Sequence, residues 1–243
     1  MIRAIIFDLD GTLVHTEILK AESYAQAIQI LTHGSVTQNM VMDSFGKYVG
    51  LPRAGVVNGL FEEYKKPLTE HLVGLDTMTV KERIITSRLA IYHEMLNDKK
   101  LLSSHFCKYN LELLHRVHRG NFKTVVATMS HLREAEKVLA AMGIHGKLDF
   151  ILTSDDIVQG KPHPEIYMKV KELLKMESTE CLVIEDSVHG IKAGLAAGMH
   201  VFAVTNTITK GSVHASNLLA EKFIIDDAKE LSKRVYQFIK EME

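Results

Sequence analysis

The chain predicts an α/β fold: a parallel sheet with helices on both faces, and a helical domain inserted after the first strand. Short β-type apolar runs recur at Ala4 to Phe7, Thr124 to Ala127, Phe150 to Thr153, Cys181 to Ile184, His200 to Val204 and Lys222 to Ile225. Helical patterns separate most of them, and alternation of strand and helix is the signature of a parallel sheet. From about Glu17 to Phe106 the pattern is almost all helical, too long a stretch for a simple crossover. The expected division is a core of residues 1–16 and 107–243 and a helical cap of residues 17–106.

The first run ends in Asp8-Leu9-Asp10-Gly11-Thr12. Side chains alternate along a strand, so Asp8 and Asp10 share a face and Leu9 points away. Two adjacent carboxylates repel unless a cation sits between them or one holds a proton. In the insert, Lys81 to Asn97 places Ile84, Ile85, Arg88, Leu89, Tyr92, Met95 and Leu96 at helical spacing, and Gly50-Leu51-Pro52-Arg53 reads as a stiff turn presenting a cation. An insert leaving the first βα loop stands beyond the carboxyl ends of the strands, where open parallel sheets place their sites, and can act as a lid.

The second run ends at Thr128, with Ser130 two residues on. A hydroxyl and the N–H groups of that turn could bind a phosphate oxygen, although a strand-end Thr is more often a helix cap. A helix over Arg133 to Met142 buries Ala135, Val138, Leu139 and Met142 and stops at Gly143. Gly160-Lys161-Pro162-His163-Pro164-Glu165 holds Lys161 in a turn stiffened by two prolines. A helix over Glu165 to Met176 follows, with Ile166, Val170, Leu173 and Leu174 on its apolar face. The run Cys181 to Ile184 repeats the opening logic by ending in Glu185-Asp186-Ser187, ahead of a helix over His189 to Ala197 that stops at Gly198. A second acidic strand end at the edge that carries Asp8 and Asp10 suits a hard divalent cation such as Mg²⁺.

Bulk properties narrow the function classes. With 243 residues, 46% hydrophobic and 24% charged, the composition is that of a globular protein rather than a disordered one. A net charge of −1 provides no field to recruit nucleic acid or an acidic membrane surface. Cys107 and Cys181 read as two reduced structural thiols. Neither a signal peptide nor a membrane span is expected, so the expected location is cytoplasmic. No Gly-x-x-x-x-Gly-Lys-Ser/Thr run supports a P-loop nucleotidase, and an acidic first βα turn argues against a dinucleotide site.

Taken in order, these residues resemble the motifs of the haloacid-dehalogenase (HAD) superfamily, in particular its β-phosphoglucomutase-like phosphatases and mutases with a helical cap. Asp8-Leu9-Asp10-Gly11-Thr12 resembles the first motif, Thr128 the second, Lys161 the third and Glu185-Asp186 the fourth. The resemblance implies a Rossmann-like core. It also implies a Mg²⁺-dependent phosphatase acting on a small phosphate monoester, a sugar phosphate or similar metabolite, through an aspartyl-phosphate. Asp8 would be the nucleophile and Asp10 the acid and base. Mg²⁺ would be held by Asp8, the Asp10 carbonyl and Asp186, with Glu185 in or near its shell. Thr128, Ser130 and Lys161 would bind the phosphoryl group, and Arg53 would touch the rest of the substrate. Two features depart from relatives: His15 stands where Asp is common, and a Pro-Gly is missing around Phe106 to Asn110.

The alternatives are a phosphomutase, with Arg53 and Arg88 serving a second phosphate, and below it a non-catalytic binding module on the same scaffold. The expected partner is a small phosphorylated metabolite, with no nucleic acid or membrane and a monomer by default.

Overall fold

The computed structural model describes residues 1–48, 51, 53–120 and 122–243; Gly50 and Pro52 of the expected stiff turn lie outside the described residues. The chain divides into two compact units, Met1–His15 with Leu102–Glu243, and Thr16–Leu101.

The first unit is built on six strands: β1 Ala4–Phe7, β2 Lys123–Ala127, β3 Phe150–Leu152, β4 Cys181–Glu185, β5 His200–Val204 and β6 Ile224–Ile225. They form one parallel sheet in the order β3-β2-β1-β4-β5-β6. Central strands covered on both faces must be apolar throughout, and β1 and β4 are fully buried. Ala4, Ile6, Val125, Ala127, Val183 and Val201 share a cluster with Ile166, Tyr167 and Val170 of the helix Glu165–Leu174 and Ile191 and Ala193 of the helix Val188–Ala196. Phe202 of β5 lies 5.6 Å, centroid to centroid, from Phe238 on the helix Leu231–Glu241. Each fully buried Leu, Ile or Phe contributes about 1.5–3 kcal/mol.

Local chemistry accounts for the element ends. The helix Leu132–Met142 stops at Gly143, which takes φ +65°, as its glycine predicts. The helix from Glu165 was expected to run to Met176 but ends at Leu174, because Lys175 adopts φ +54° and breaks the repeat. Of the two leucines expected on its apolar face, Leu173 is 54% exposed and Leu174 packs against the core. The last strand is shorter than its sequence suggests: Glu221–Phe223 turns as a 3₁₀ segment and only Ile224–Ile225 pairs with β5. Both cysteines are free thiols.

The chain leaves and re-enters this unit through one paired segment. Gly11 N–H donates to Val14 O at 2.7 Å, Cys107 N–H to Leu13 O at 2.9 Å and His15 N–H to His105 O at 2.9 Å. Asn110 Nδ2 fastens the turn by donating to Thr12 O at 2.6 Å.

Among the described residues, the regular elements of the second unit are all helices, with Thr16–Leu31 packed against the long helix Thr77–Asn97. Tyr24, Ile28, Phe45, Val57, Leu60, Phe61 and Ile84 form its core. Asp76 starts the long helix by accepting from Thr79 N–H at 2.7 Å. Arg88 is buried in this unit, its guanidinium 4.8 Å from the ring centroids of both Tyr24 and Tyr92. Arg53 opens the helix Arg53–Glu63 and is half-buried. Among the described residues, no helix is long and apolar enough to cross a membrane.

Candidate active site

Strand order reverses between β1 and β4, and such a switch point opens a crevice at the carboxyl ends of the strands. Asp8 follows β1, and Glu185 and Asp186 close β4. Asp8 N–H donates to Ile184 O at 3.0 Å, so the two acidic strand ends are hydrogen-bonded neighbours. One oxygen from each of Asp8, Glu185 and Asp186 falls within a group spanning no more than 4.8 Å, and all three residues are buried.

Lys161 enters this cluster from the turn after β3, a turn that carries a cis Lys161–Pro162 peptide bond. Its Nζ lies 2.6 Å from Asp8 Oδ1 and 2.6 Å from Glu185 Oε1, and donates to Ala127 O at 3.0 Å. Its side chain is only 4% exposed. Burial alone would lower the ammonium pKa, but Asp8 and Glu185 outweigh burial and hold it well above its ordinary value. Lys161 is a fixed cation, as the rigid turn suggests. Asp8 is driven the other way. Burial raises its pKa well above the usual carboxylate range, and Glu185 and Asp10 add to the rise against the pull of Lys161.

Asp10 occupies a different environment. Its side chain accepts hydrogen bonds from Thr128 Oγ1 at 3.3 Å and from Ser130 Oγ. Ser130 N–H in turn donates to Thr128 Oγ1 at 3.0 Å, which holds the Thr128 hydroxyl in place. Thr128 and Ser130 thus stand beside Asp10 at the end of β2. Asp8 is paired with an ammonium, whereas Asp10 is half-buried among hydroxyls.

Glu185 is tied down at both oxygens. Oε1 accepts from Lys161 and from Tyr167 Oη at 2.8 Å, and Oε2 accepts from Asp186 N–H, Ser187 N–H and Ser187 Oγ at 3.1, 3.3 and 3.2 Å. Asp186 Oδ2 accepts from Asn206 Nδ2 at 3.0 Å. Two glycines make room for these carboxylates: a Cβ on Gly11 would overlap Asp186, and one on Gly190 would overlap Glu185.

Sequence reasoning gave no role to Tyr167, Gly190 or Asn206. Gly190 carried a readable signal, a glycine in the first turn of a helix directly behind an acidic pair. Tyr167 reads as an ordinary core aromatic, and Asn206 lies on a loop whose approach to β4 only the fold creates.

A parallel sheet with a lysine-linked carboxylate cluster at its switch point puts the chain among α/β domains that carry a buried polar site at their strand ends. The chain belongs to the haloacid dehalogenase-like hydrolase family, whose model matches residues 5–204. It is 27% identical over 225 residues to the validoxylamine A 7'-phosphate phosphatase of Streptomyces hygroscopicus subsp. limoneus, covering 93% of each chain. It is also 27% identical over 212 residues to a phosphorylated carbohydrates phosphatase of Thermotoga maritima, covering 86% of this chain and 88% of that protein. Among solved structures, a putative β-phosphoglucomutase from Thermotoga maritima shares the fold with a TM-score of 0.74 at 24% identity, covering 97% of this chain and 99% of that one.

Proposed function

We propose that the protein is a Mg²⁺-dependent phosphatase that hydrolyses a small phosphate monoester through a phosphoryl group carried on Asp8. The observation that carries this reading is the unequal setting of the two aspartates. Asp8 lies in a buried cationic and acidic cluster, and Asp10 lies beside the hydroxyls of Thr128 and Ser130. The named phosphatases to which the chain is similar support it.

In the first half-reaction an Asp8 carboxylate oxygen attacks phosphorus and the bond from phosphorus to the ester oxygen breaks. Asp10 gives its proton to the departing oxygen. In the second, Asp10 takes a proton from water as that water attacks phosphorus. The bond from phosphorus to Asp8 breaks, inorganic phosphate leaves and both aspartates are restored. Lys161 holds Asp8 in place and balances charge that spreads onto the phosphoryl oxygens. Thr128 and Ser130 orient Asp10 through their hydroxyls.

The donor set fits a hard divalent cation. It is all carboxylate oxygen, and with every group ionised the three buried carboxylates exceed the one buried ammonium by two negative charges. Asp8 and Asp186 would hold the ion with the Asp10 main-chain oxygen. Glu185, whose oxygens already accept five hydrogen bonds, stands behind them and secures Lys161. When bound, Mg²⁺ offsets the repulsion between Asp8 and an incoming phosphate dianion. The helical unit acts as a cap, and Arg53 contacts the non-reacting part of the substrate. The protein works as a cytoplasmic monomer.

A phosphomutase is the second reading, favoured by the shared fold of the putative β-phosphoglucomutase. A panel of phosphate esters with Mg²⁺ separates the two. Phosphate release without a bisphosphate activator, abolished by Asp8→Asn, is the expected result. Isomer formation that depends on a bisphosphate would replace this reading with the mutase, and unchanged turnover in Asp8→Asn would overturn Asp8 as nucleophile.

A further inference from the structure

Asn206 stands two residues beyond β5 and its side chain is used at both ends. Its Oδ1 accepts from the N–H groups of Ile208 at 2.9 Å and Thr209 at 3.0 Å, closing the turn ahead of the helix Lys210–Ser216. Asn206 N–H donates to Thr209 Oγ1 at 3.2 Å, and Thr209 is buried, so the turn is locked from both sides. Because the carbonyl end is spent on the turn, the amide cannot flip. Its NH₂ end is directed at Asp186 Oδ2, 3.0 Å away. The same oxygen borders Gly11, where a Cβ would collide with it. Asp186 is thus confined by the first strand's turn on one side and by Asn206 on the other.

We propose that Asn206 is a positioning residue for the divalent cation: it holds the Asp186 carboxylate in the orientation that binds the ion and so sets the ion's affinity. This rests on the reading that Asp186 is a ligand. Groups that orient a ligand without touching the metal typically change its affinity 10- to 100-fold. Asn206 would couple the β5 loop to the metal site without contacting substrate.

The competing possibility is that Asn206 only closes the turn. Asn206→Ser separates the two, since a Ser hydroxyl still accepts from N–H groups two and three residues on but is too short to reach Asp186. The measurement is Mn²⁺ binding to the full chain without substrate, by calorimetry and by electron paramagnetic resonance. Asp186→Asn is measured alongside, and the metal-free melting temperature is recorded for each. Asn206→Ser is expected to raise the Mn²⁺ Kd about 10-fold or more, as loss of an orienting partner does, with little change in melting temperature. Its turnover should recover at high Mg²⁺ with an unchanged substrate KM. An unchanged Mn²⁺ Kd in Asn206→Ser, with binding lost in Asp186→Asn, overturns the proposal and leaves the metal reading standing. Unchanged binding in Asp186→Asn overturns the metal reading and this proposal with it. Should Asn206→Ser fail to fold, Asn206→Asp keeps the acceptor for the turn while replacing the donor with an oxygen. An unaltered Mn²⁺ Kd there overturns the proposal equally.

Discussion

Gly190 leaves the space that the Glu185 carboxylate occupies, so a hydrogen atom in the first turn of one helix determines where Lys161 is held. In an ordinary helix Gly→Ala stabilises by about 1 kcal/mol. Here the sign should reverse, because the new methyl displaces a carboxylate that anchors both Lys161 and Tyr167. Gly190→Ala is expected to lower the melting temperature and to depress phosphate release. Calorimetry and a phosphate assay on the same preparation check both; a more stable, fully active variant would contradict the arrangement.

Lys161→Met should be destabilising at neutral pH. Removing one member of a buried charge pair typically costs about 3–5 kcal/mol, because the charge left behind is uncompensated. The penalty should shrink in acid. Without the ammonium, the folded-state pKa of Asp8 lies still further above its unfolded value. The native state of the variant then binds more protons than the unfolded state, and its stability falls as pH rises through that folded pKa. Denaturant unfolding of wild type and variant between pH 5 and pH 8 measures the difference.

On the proposed mechanism, Asp10→Asn removes the acid and base but leaves the nucleophile. General acid–base catalysis contributes about 10²–10⁴-fold, so hydrolysis of an alkyl phosphate should fall by that range. An aryl phosphate with a good leaving group needs no proton in the first step. Its phosphoryl transfer to Asp8 should survive while the second step stalls. Intact-protein mass spectrometry should then show a phosphorylated chain that Asp8→Asn does not form.

His214, on the helix after Asn206, offers a test on the opposite side of the β5 loop. The side-chain hydrogen bond to Asp226 raises its pKa above the ordinary histidine value. Asp226 is itself held well below the usual carboxylate range, first by Thr205 and Lys210. Because the folded pKa is raised, the stabilisation is fully present below about pH 6.5. It is lost as pH rises through the folded value. Nuclear magnetic resonance titration should place the His214 midpoint above 6.5, and Asp226→Asn should lower it.

The two thiols should differ in reactivity. Cys181 is buried in β4 and burial pushes its pKa to about 11, whereas Cys107 is half-buried at the paired segment. Thiolate is the reactive form. Alkylation of the folded protein at pH 8, followed by peptide mapping, should label Cys107 well before Cys181.

Much of this site is legible in the sequence because it rests on strand ends. An apolar run with its terminal residues known places Asp8, Thr128, Glu185 and Asp186 at one sheet edge before any coordinate is seen. Lys161 is legible through its prolines and Gly143 through its stop. Where local reading failed, an unfavourable backbone conformation or a short segment intervened. Lys175 ends a helix that its apolar spacing would continue, and Glu221–Phe223 turns where a strand pattern continues.

By itself, then, the sequence determined the parallel α/β core, the helical insert and the identity of the acidic, hydroxyl and lysine groups. These follow from periodicity and from short-range turn chemistry. Only the tertiary structure decided which of those groups meet. Whether Asp8 or Asp10 meets the ammonium and whether Glu185 faces outward or secures Lys161 depend on residues distant in the chain. The same holds for Asn206, which reaches Asp186 only because parallel pairing of β4 with β5 brings the loop after β5 against the end of β4. A hydrogen bond of about 3 Å between residues that follow separate strands is a property of the packed sheet, and no local pattern encodes it.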